Sequence, residues 1–327
     1  MADDPILRVL PEVAAALESG APVVALESSV LAQGLPIPQN RAAAERMTRA
    51  VTDAGATPAI TAVSHGVPSI GLTSGELERF LARDGVRKVS ARDIPLAMVQ
   101  EADGATTVAA SLALATLAGV HVFATGGIGG VHREPAFDES ADLEELARSP
   151  MIVVCAGAKS ILDLPATLER LETLGVLVIG YRTSEMPGFF TADTGLRTSG
   201  RAESADEIAR IFVAHLALRR RSAIVVAQPP PAEHALPGAR VEQAVERALA
   251  DARRRGIRGA EMTPALLGAV ERETNGASLT ANLALLERNA SLAAEIAVAV
   301  THLQQASPTA RLLLDGGIEL GAVRMVQ

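Results

Sequence analysis

Of the 30 basic residues in this 327-residue chain, only Lys88 and Lys159 are lysines; the others are arginines. Arginine fills every place where a plain positive charge is enough. The two lysines are therefore candidates for work a guanidinium cannot do. A guanidinium stays protonated, with a pKa above ~12, whereas a lysine drawn out of water can lose its proton and attack carbon. Two leftover surface lysines would give the same count. Lys159 has the stronger setting: it follows the apolar run Met151–Cys155 and the small-residue turn Ala156-Gly157-Ala158. Ligands of open α/β sheets bind beyond the carboxyl ends of strands, and a helix starting just after Lys159 would favour a neutral amine there. This is the setting of a Schiff-base lysine; a solvent-facing lysine at a helix start is the plainer reading.

Glu27 ends a second apolar run, Val23–Leu26, and precedes Ser28-Ser29. A carboxylate at the end of a buried strand is costly without a partner, which makes a general acid plausible. A glutamate in a surface loop fits the same residues equally well. Gly126-Gly127-Ile128-Gly129-Gly130 follows a third run, and the N–H groups of such a loop can bind anions. The dinucleotide-binding spacing of glycines is absent. In Phe137–Leu143, the acceptors Asp138, Glu139, Ser140 and Asp142 could hold a hard cation and a sugar. Taken alone, the segment reads better as a helix cap on Ser140. Lys88 stands near Ser90 and Arg92, a group suited to phosphate or carboxylate. Asn282 and Asn289 are seven apart on an expected helix and share a face. They could read a base or sugar edge, although hydrogen bonding between helices is the commoner role.

Six apolar runs read as strands: Val23–Leu26, Ile60–Val63, His121–Thr125, Ile152–Cys155, Val176–Ile179 and Ala223–Ala227. They alternate with helical patterns over Arg41–Ala54, Ser74–Arg83, Thr106–Leu117, Leu143–Ala147, Ile161–Leu174 and Ala205–Leu218. Unbroken apolar runs suit strands covered on both faces, so the expected fold is a three-layer α/β/α arrangement with a mixed, largely parallel sheet. After the break Pro229-Pro230-Pro231 the pattern is helical, over about 239–305, and is expected to pack back on the sheet as part of a single domain spanning 1–327. Ala105–Val131 holds no charged residue, but its Thr, Ser and Gly content and His121 suit a buried helix and strand rather than a membrane span. The acidic amino-terminal segment lacks the layout of a signal peptide, so a cytoplasmic location is expected.

Composition narrows the partners. The net charge is −8 and aromatics are 2% of the chain, which disfavours a nucleic-acid binder needing basic footprints and stacking platforms. One cysteine, Cys155, allows neither an intrachain disulfide nor a cysteine zinc site.

Six stretches together resemble one family, the pseudouridine-5′-phosphate glycosidases, also called indigoidine-synthase-A-like proteins. They are VALESSVLAQGLPIPQN (24–40), PAITAVSHGVPSIGLTSGEL (58–77), RKVSARDIP (87–95), DGATTVAASLALATLAGVHVFATGGIGGVHRE (103–134), FDESADLEELARSPMIVVCAGAKSILDLPATLERLETLGVLVIGY (137–181) and SLTANLALLERNASLAAEIA (278–297). The resemblance implies reversible cleavage of the C-glycosidic bond of pseudouridine 5′-phosphate to uracil and ribose 5-phosphate. It puts the family's nucleophile on Lys159, its proton donor on Glu27 and its phosphate-binding lysine on Lys88. It puts a divalent metal, usually Mn²⁺, on Asp138. Substrate contacts fall on Val108, Ser140, Ala141 and Asp142, with Thr125, His132 and Asn289 lining the pocket, and the implied assembly is a homotrimer. Gln33 stands where the family often has His, and the loop from His132 to Asp138 is shorter. A Schiff-base aldolase acting on another sugar phosphate, or a non-catalytic nucleotide-binding relative, are the competing readings.

Overall fold

The computed structural model describes residues 6–134, 137–257 and 262–315. The strands are β1 (Arg8–Val9), β2 (Val23–Leu26), β3 (Thr57–Ser64), β4 (Val67–Ile70), β5 (Arg87–Val89), β6 (Gly104–Thr106), β7 (Val122–Ala124), β8 (Ile152–Cys155), β9 (Leu177–Tyr181), β10 (Gly200–Ala202) and β11 (Ile224–Ala227). The helices are α1 (Pro11–Glu18), α2 (Gln39–Asp53), α3 (Ser74–Ala82), α4 (Ile94–Val99), α5 (Val108–Leu117), α6 (Ala141–Leu146), α7 (Leu164–Thr173), α8 (Ala205–Ala217), α9 (Gly238–Arg255), α10 (Met262–Glu273), α11 (Ala277–Ala306) and α12 (Pro308–Leu314).

The strands form one sheet in the order β1-β4-β3-β2-β7-β8-β11-β9-β10, with β6 and then β5 branching from β3. Among the described strands, only the pairings of β3 with β4 and β6 are antiparallel. Every residue of β2, β8 and β11 is buried, as expected of strands covered on both faces. The sheet is therefore mixed and largely parallel, with helices on both sides.

The eight-residue β3 divides its pairing. Thr57–Ile60 bond to β2, while Thr61–Ser64 bond to β4 and β6. This branch is what carries β5, and Lys88 within it, to the carboxyl end of the central strands. A buried hydroxyl cluster holds the junction. Ser28 and Thr61 both bond to Thr106 (3.2 and 2.8 Å), and Thr61 also donates to Ser111 (2.8 Å).

The carboxyl-terminal helices pack on the sheet. The helix α11 lies against β2, β7 and β8 and between α2 and α8, and its buried residues run from Ser278 to Val300. The charge-free stretch from Ala105 to Val131 becomes β6, α5, β7 and the glycine loop, all within the fold. Several expected boundaries move: β3 begins three residues before Ile60 and α6 two before Leu143, and two helix starts move for a local reason. Thr106 ends β6, and α5 starts at Val108 with Thr107 as its cap, accepting from the Ala110 N–H. The helix expected from Ile161 starts at Leu164, because Asp163 caps it by accepting from the Ala166 N–H (3.0 Å) and a proline sits in its first turn.

Candidate active site

The parallel neighbours β2, β7 and β8 end side by side. Glu27 follows β2, Thr125 follows β7, and Ala156–Lys159 follow β8, so residues more than a hundred positions apart converge. Glu27 is buried and its carboxylate is held on both oxygens. Thr125 Oγ1 donates to Oε1, and Ser29 Oγ donates to Oε2 at 2.5 Å. From α11, Asn289 Nδ2 donates to the carbonyls of Thr125 (2.9 Å) and Gly126 (3.4 Å). Asn289 thus fixes the end of β7, and the end of β7 fixes Glu27. Thr125 and Asn289 stand behind Glu27 and do not line the cavity, so they act as positioning residues.

Lys159 lies in a turn. Its N–H donates to the Ile128 carbonyl (3.1 Å), and its own carbonyl accepts from the Leu162 N–H (3.0 Å). It is half-buried, and the helix dipole expected to act on it is not there, since α7 begins five residues later. The turn requires a glycine at position 157. Its φ is +84°, and a Cβ there would meet the Pro187 carbonyl oxygen at 2.1 Å.

Glu27 and Lys159 share a cavity of about 290 Å³ with Lys88, Ser90, Arg92 and His132. Val108, Ser140, Ala141 and Asp142 line it as well. Lys88 is open to the water in this cavity yet surrounded by protein on most sides. That enclosure lowers its pKa below the ordinary lysine value, with a further lowering from the charge of Lys159; Asp142 and Glu27 oppose it. The His132 imidazole is also held below its usual pKa. Burial is the main cause, and Lys159 and Lys88 add to it against the pull of Asp138. His132 therefore stands in the cavity as a neutral imidazole at neutral pH.

Two N–H groups of the glycine loop, and that of Val131 just after it, are committed to the fold rather than open to an anion. The Gly129 N–H donates to Asp142 Oδ2 (2.8 Å), the Ile128 N–H to the Gly157 carbonyl (3.1 Å) and the Val131 N–H to Thr167 Oγ1 (2.9 Å). Its glycines serve close packing: a Cβ on Gly129 would lie 2.1 Å from Ser140 Oγ. Asp142 accepts from the Ala109 N–H on its other oxygen (2.9 Å), joining the start of α5 to the loop. Ser140 fills both expected roles, capping α6 through the Asp142 N–H (3.3 Å) while lining the cavity.

Asp138 is half-buried and does not line the cavity, but its charge acts on His132, which does. Its carbonyl accepts from the His132 N–H (2.8 Å), and a bridge between Val131 and Glu139 closes the strip. Glu139 lines the cavity where Asp138 does not, but it is engaged by Arg170 at 2.9 Å. Among the described residues, no three carboxylate, imidazole or thiolate groups gather as a metal cage. A single carboxylate beside a polar, substrate-sized cavity still suits Mg²⁺ or Mn²⁺, which keep several waters and take further oxygens from substrate.

Sequence reading missed Ser29, Thr107 and the hydroxyl cluster. Their one signal is the hydroxyl residues that directly follow, or end, apolar runs, in Glu27-Ser28-Ser29 and Thr106-Thr107.

Fold and cavity together define an α/β protein with a lysine-bearing polar cavity beyond the carboxyl ends of its central strands. The family described as indigoidine synthase A like protein matches residues 12–299, and the chain belongs to it. A relative from Gemmatimonas aurantiaca named pseudouridine-5′-phosphate glycosidase is 63% identical over 295 residues, covering 90% of this chain and 96% of the relative. One of the same name from Herpetosiphon aurantiacus is 52% identical, covering 90% and 98%. Among solved structures, the prealnumycin C-glycosynthase AlnA in complex with ribulose 5-phosphate matches with a TM-score of 0.86 at 38% identity, covering 93% of this chain and 100% of that one. An indigoidine synthase A-like protein from Thermotoga maritima matches at 0.84 and 34%, covering 92% and 99%.

Proposed function

We propose that this protein reversibly cleaves the C1′–C5 bond of pseudouridine 5′-phosphate, with Glu27 as general acid and Lys159 as nucleophile. The observation that carries this reading is the convergence of Glu27, Lys159 and Lys88 on one cavity, in a chain 63% identical to a glycosidase of that name.

A C-glycosidic bond has no heteroatom leaving group to protonate, so the two-carboxylate scheme of ordinary glycosidases does not serve. Glu27 gives its proton to the ring oxygen, the C1′–O4′ bond breaks, and the neutral amine of Lys159 bonds to C1′. The nitrogen passes a proton to the Glu27 carboxylate, its freed lone pair then forms C1′=N as the C1′–C5 pair leaves with the base, and Glu27 returns that proton to C5 to give uracil. Water adds to C1′, releasing ribose 5-phosphate and the lysine amine. The two hydrogen bonds from Thr125 and Ser29 hold the Glu27 carboxylate in one orientation for both directions of transfer. Lys88, with Ser90 and Arg92 on the same wall, receives the 5′-phosphate. Val108, Ala141, Ser140 and Asp142 bound the sugar. The neutral His132 offers a donor and an acceptor without adding charge.

Asp138 is the residue that would hold a divalent cation, Mn²⁺ in this reading, and the cation would polarise sugar or phosphate oxygens. A homotrimer and a cytoplasmic location belong to the same proposal; among the described residues no helix is long and apolar enough to cross a membrane.

The test is the appearance of uracil when the protein meets pseudouridine 5′-phosphate, with borohydride present to trap the imine. The sugar mass is expected on Lys159, and both Lys159→Ala and Lys159→Arg are expected to be inactive, since guanidinium cannot become the nucleophile. An adduct on Lys88, or normal turnover by Lys159→Arg, would overturn the mechanism.

A further inference from the structure

Lys159 lies in the connection between β8 and α7, beside the strip that continues from the glycine loop. Ala158 bridges to Ile128, Leu162 bridges to His132, and the Asp163 N–H donates to the Val131 carbonyl (2.9 Å). Two carbonyls of this turn are left over, those of Ser160 and Leu162. Both residues are buried, 4% and 1% exposed, and among the described residues no backbone N–H bonds to either carbonyl. Arg133 supplies both bonds. Its Nε donates to the Leu162 carbonyl (3.2 Å) and its Nη2 to the Ser160 carbonyl (3.3 Å).

The same guanidinium is held from outside by α9. Nη1 and Nη2 donate to the two carboxylate oxygens of Glu242, the second at 2.9 Å. The hydrogen bond from Arg133 keeps the Glu242 carboxyl below its usual pKa, so it is charged at neutral pH. A planar fork of N–H donors can serve two carbonyls and a carboxylate at once, which an ammonium on a flexible stem cannot. Arg133 is not among the residues that line the cavity. The next residue, Glu134, also pairs with α9, through Arg253 (2.7 Å), but among the described residues it makes no bond to the turn.

We infer that Arg133 is a positioning residue for the nucleophile: it fixes the turn that carries Lys159 by holding the carbonyls of Ser160 and Leu162. The inference rests on the reaction proposed above. Attack on C1′ needs the amine within reach and aligned, and misplacement by about 1 Å can cost about 100-fold in rate. Lys159 stands in neither a helix nor a strand, so no regular ladder of bonds fixes it. Without the guanidinium, two buried carbonyls have no partner, and the turn must shift to bring them to another donor or to water. The phosphate contact is spared, because Lys88 is carried by β5.

The experiment follows single-turnover release of uracil from pseudouridine 5′-phosphate, with protein in excess, in the unaltered protein and in four variants. Arg133→Met keeps much of the stem and removes the guanidinium. Its limiting rate is expected to fall about 10–100-fold, while the half-saturating concentration changes about threefold at most. Borohydride trapping of ribose 5-phosphate on Lys159 should slow by the same factor. Arg133→Lys keeps the charge without the fork and should remain at least about fivefold slow. Glu242→Gln keeps the fork but loosens it, and should cost about two- to fivefold. Glu134→Gln, on the same strip and against the same helix, should leave the rate unchanged. A normal rate in Arg133→Met, a loss that appears in half-saturation rather than in rate, full recovery in Arg133→Lys, or an equal loss in Glu134→Gln would each overturn the inference. If Arg133→Met does not fold, Arg133→Lys and Glu242→Gln decide on the same readouts, and normal rates in both would overturn it. Absence of uracil release by the unaltered protein sinks the proposed reaction instead, whereas cleavage at normal rates in the Arg133 variants sinks only this inference.

Discussion

Lys88→Met removes an ammonium while keeping most of the side-chain stem on β5. Arg92 is the other cation nearest in sequence on that wall, but its side chain is 87% exposed and leans on Asp93 at 3.5 Å. A cation so solvated contributes no more than ~1 kcal/mol. Lys88 therefore carries most of the phosphate contact. A charge-assisted hydrogen bond is worth about 1.5–3 kcal/mol, so KM for pseudouridine 5′-phosphate should rise about 10–150-fold. KM for unphosphorylated pseudouridine should change about twofold at most, because no charge pair is lost. The pH dependence adds a second readout. Burial, and then the charge of Lys159, lower the Lys88 pKa in the empty cavity. The ammonium is thus lost on the alkaline side at a lower pH than for a lysine in water, and phosphate selectivity is lost with it. The ratio of kcat/KM for the two substrates isolates this effect, because both need the same nucleophile. In Lys88→Arg the cation persists, and the alkaline fall of that ratio moves to higher pH. Uracil release measured from neutral to alkaline pH decides the matter. Equal KM effects on both substrates, or an unshifted fall in Lys88→Arg, would refute the assignment.

Three further outcomes are expected. Asp138→Ala should cost activity and weaken Mn²⁺ binding measured without substrate; full activity after exhaustive chelation, or in this variant, would remove the metal from the proposal. Gly129→Ala should lower the melting temperature and the activity together, since its Cβ would lie 2.1 Å from Ser140 Oγ and 2.7 Å from Asp142 Oδ2; overpacking of this kind costs about 1–3 kcal/mol, and an unchanged melting curve would contradict the packing described for the loop. Cys155 is fully buried, and burial pushes its thiol up to about 12. The thiolate is then roughly one part in ten thousand at pH 8, so alkylation should proceed only on unfolding, and rapid labelling of the folded protein would show that the strand opens.

The sequence by itself determined the elements whose apolar pattern is long and strong. The strands β2, β8 and β11 fall within a residue of the apolar runs, because strands buried on both faces must be apolar throughout. The helix α11 is legible for the same kind of reason, one broad face buried along most of its length. Glu27 and Lys159 could be picked out from position and from lysine scarcity. Tertiary structure decided the rest. The strands β5, β6 and β10 are three residues each, too short for any periodicity, and exist because a neighbour offers a free edge. Lys88 reaches the cavity only through that pairing. The helix dipole expected at Lys159 failed because Asp163 captures the cap, so that α7 starts at Leu164, three positions after the expected start at Ile161 and five after Lys159. Asn282 and Asn289 look alike in sequence, and only the end of β7, brought under one of them by the order of strands, separates a positioning residue from an unpaired acceptor. Pattern records which face of an element is buried; which partner each buried polar atom meets depends on contacts across more than a hundred residues of chain, and those are set by the topology of the sheet.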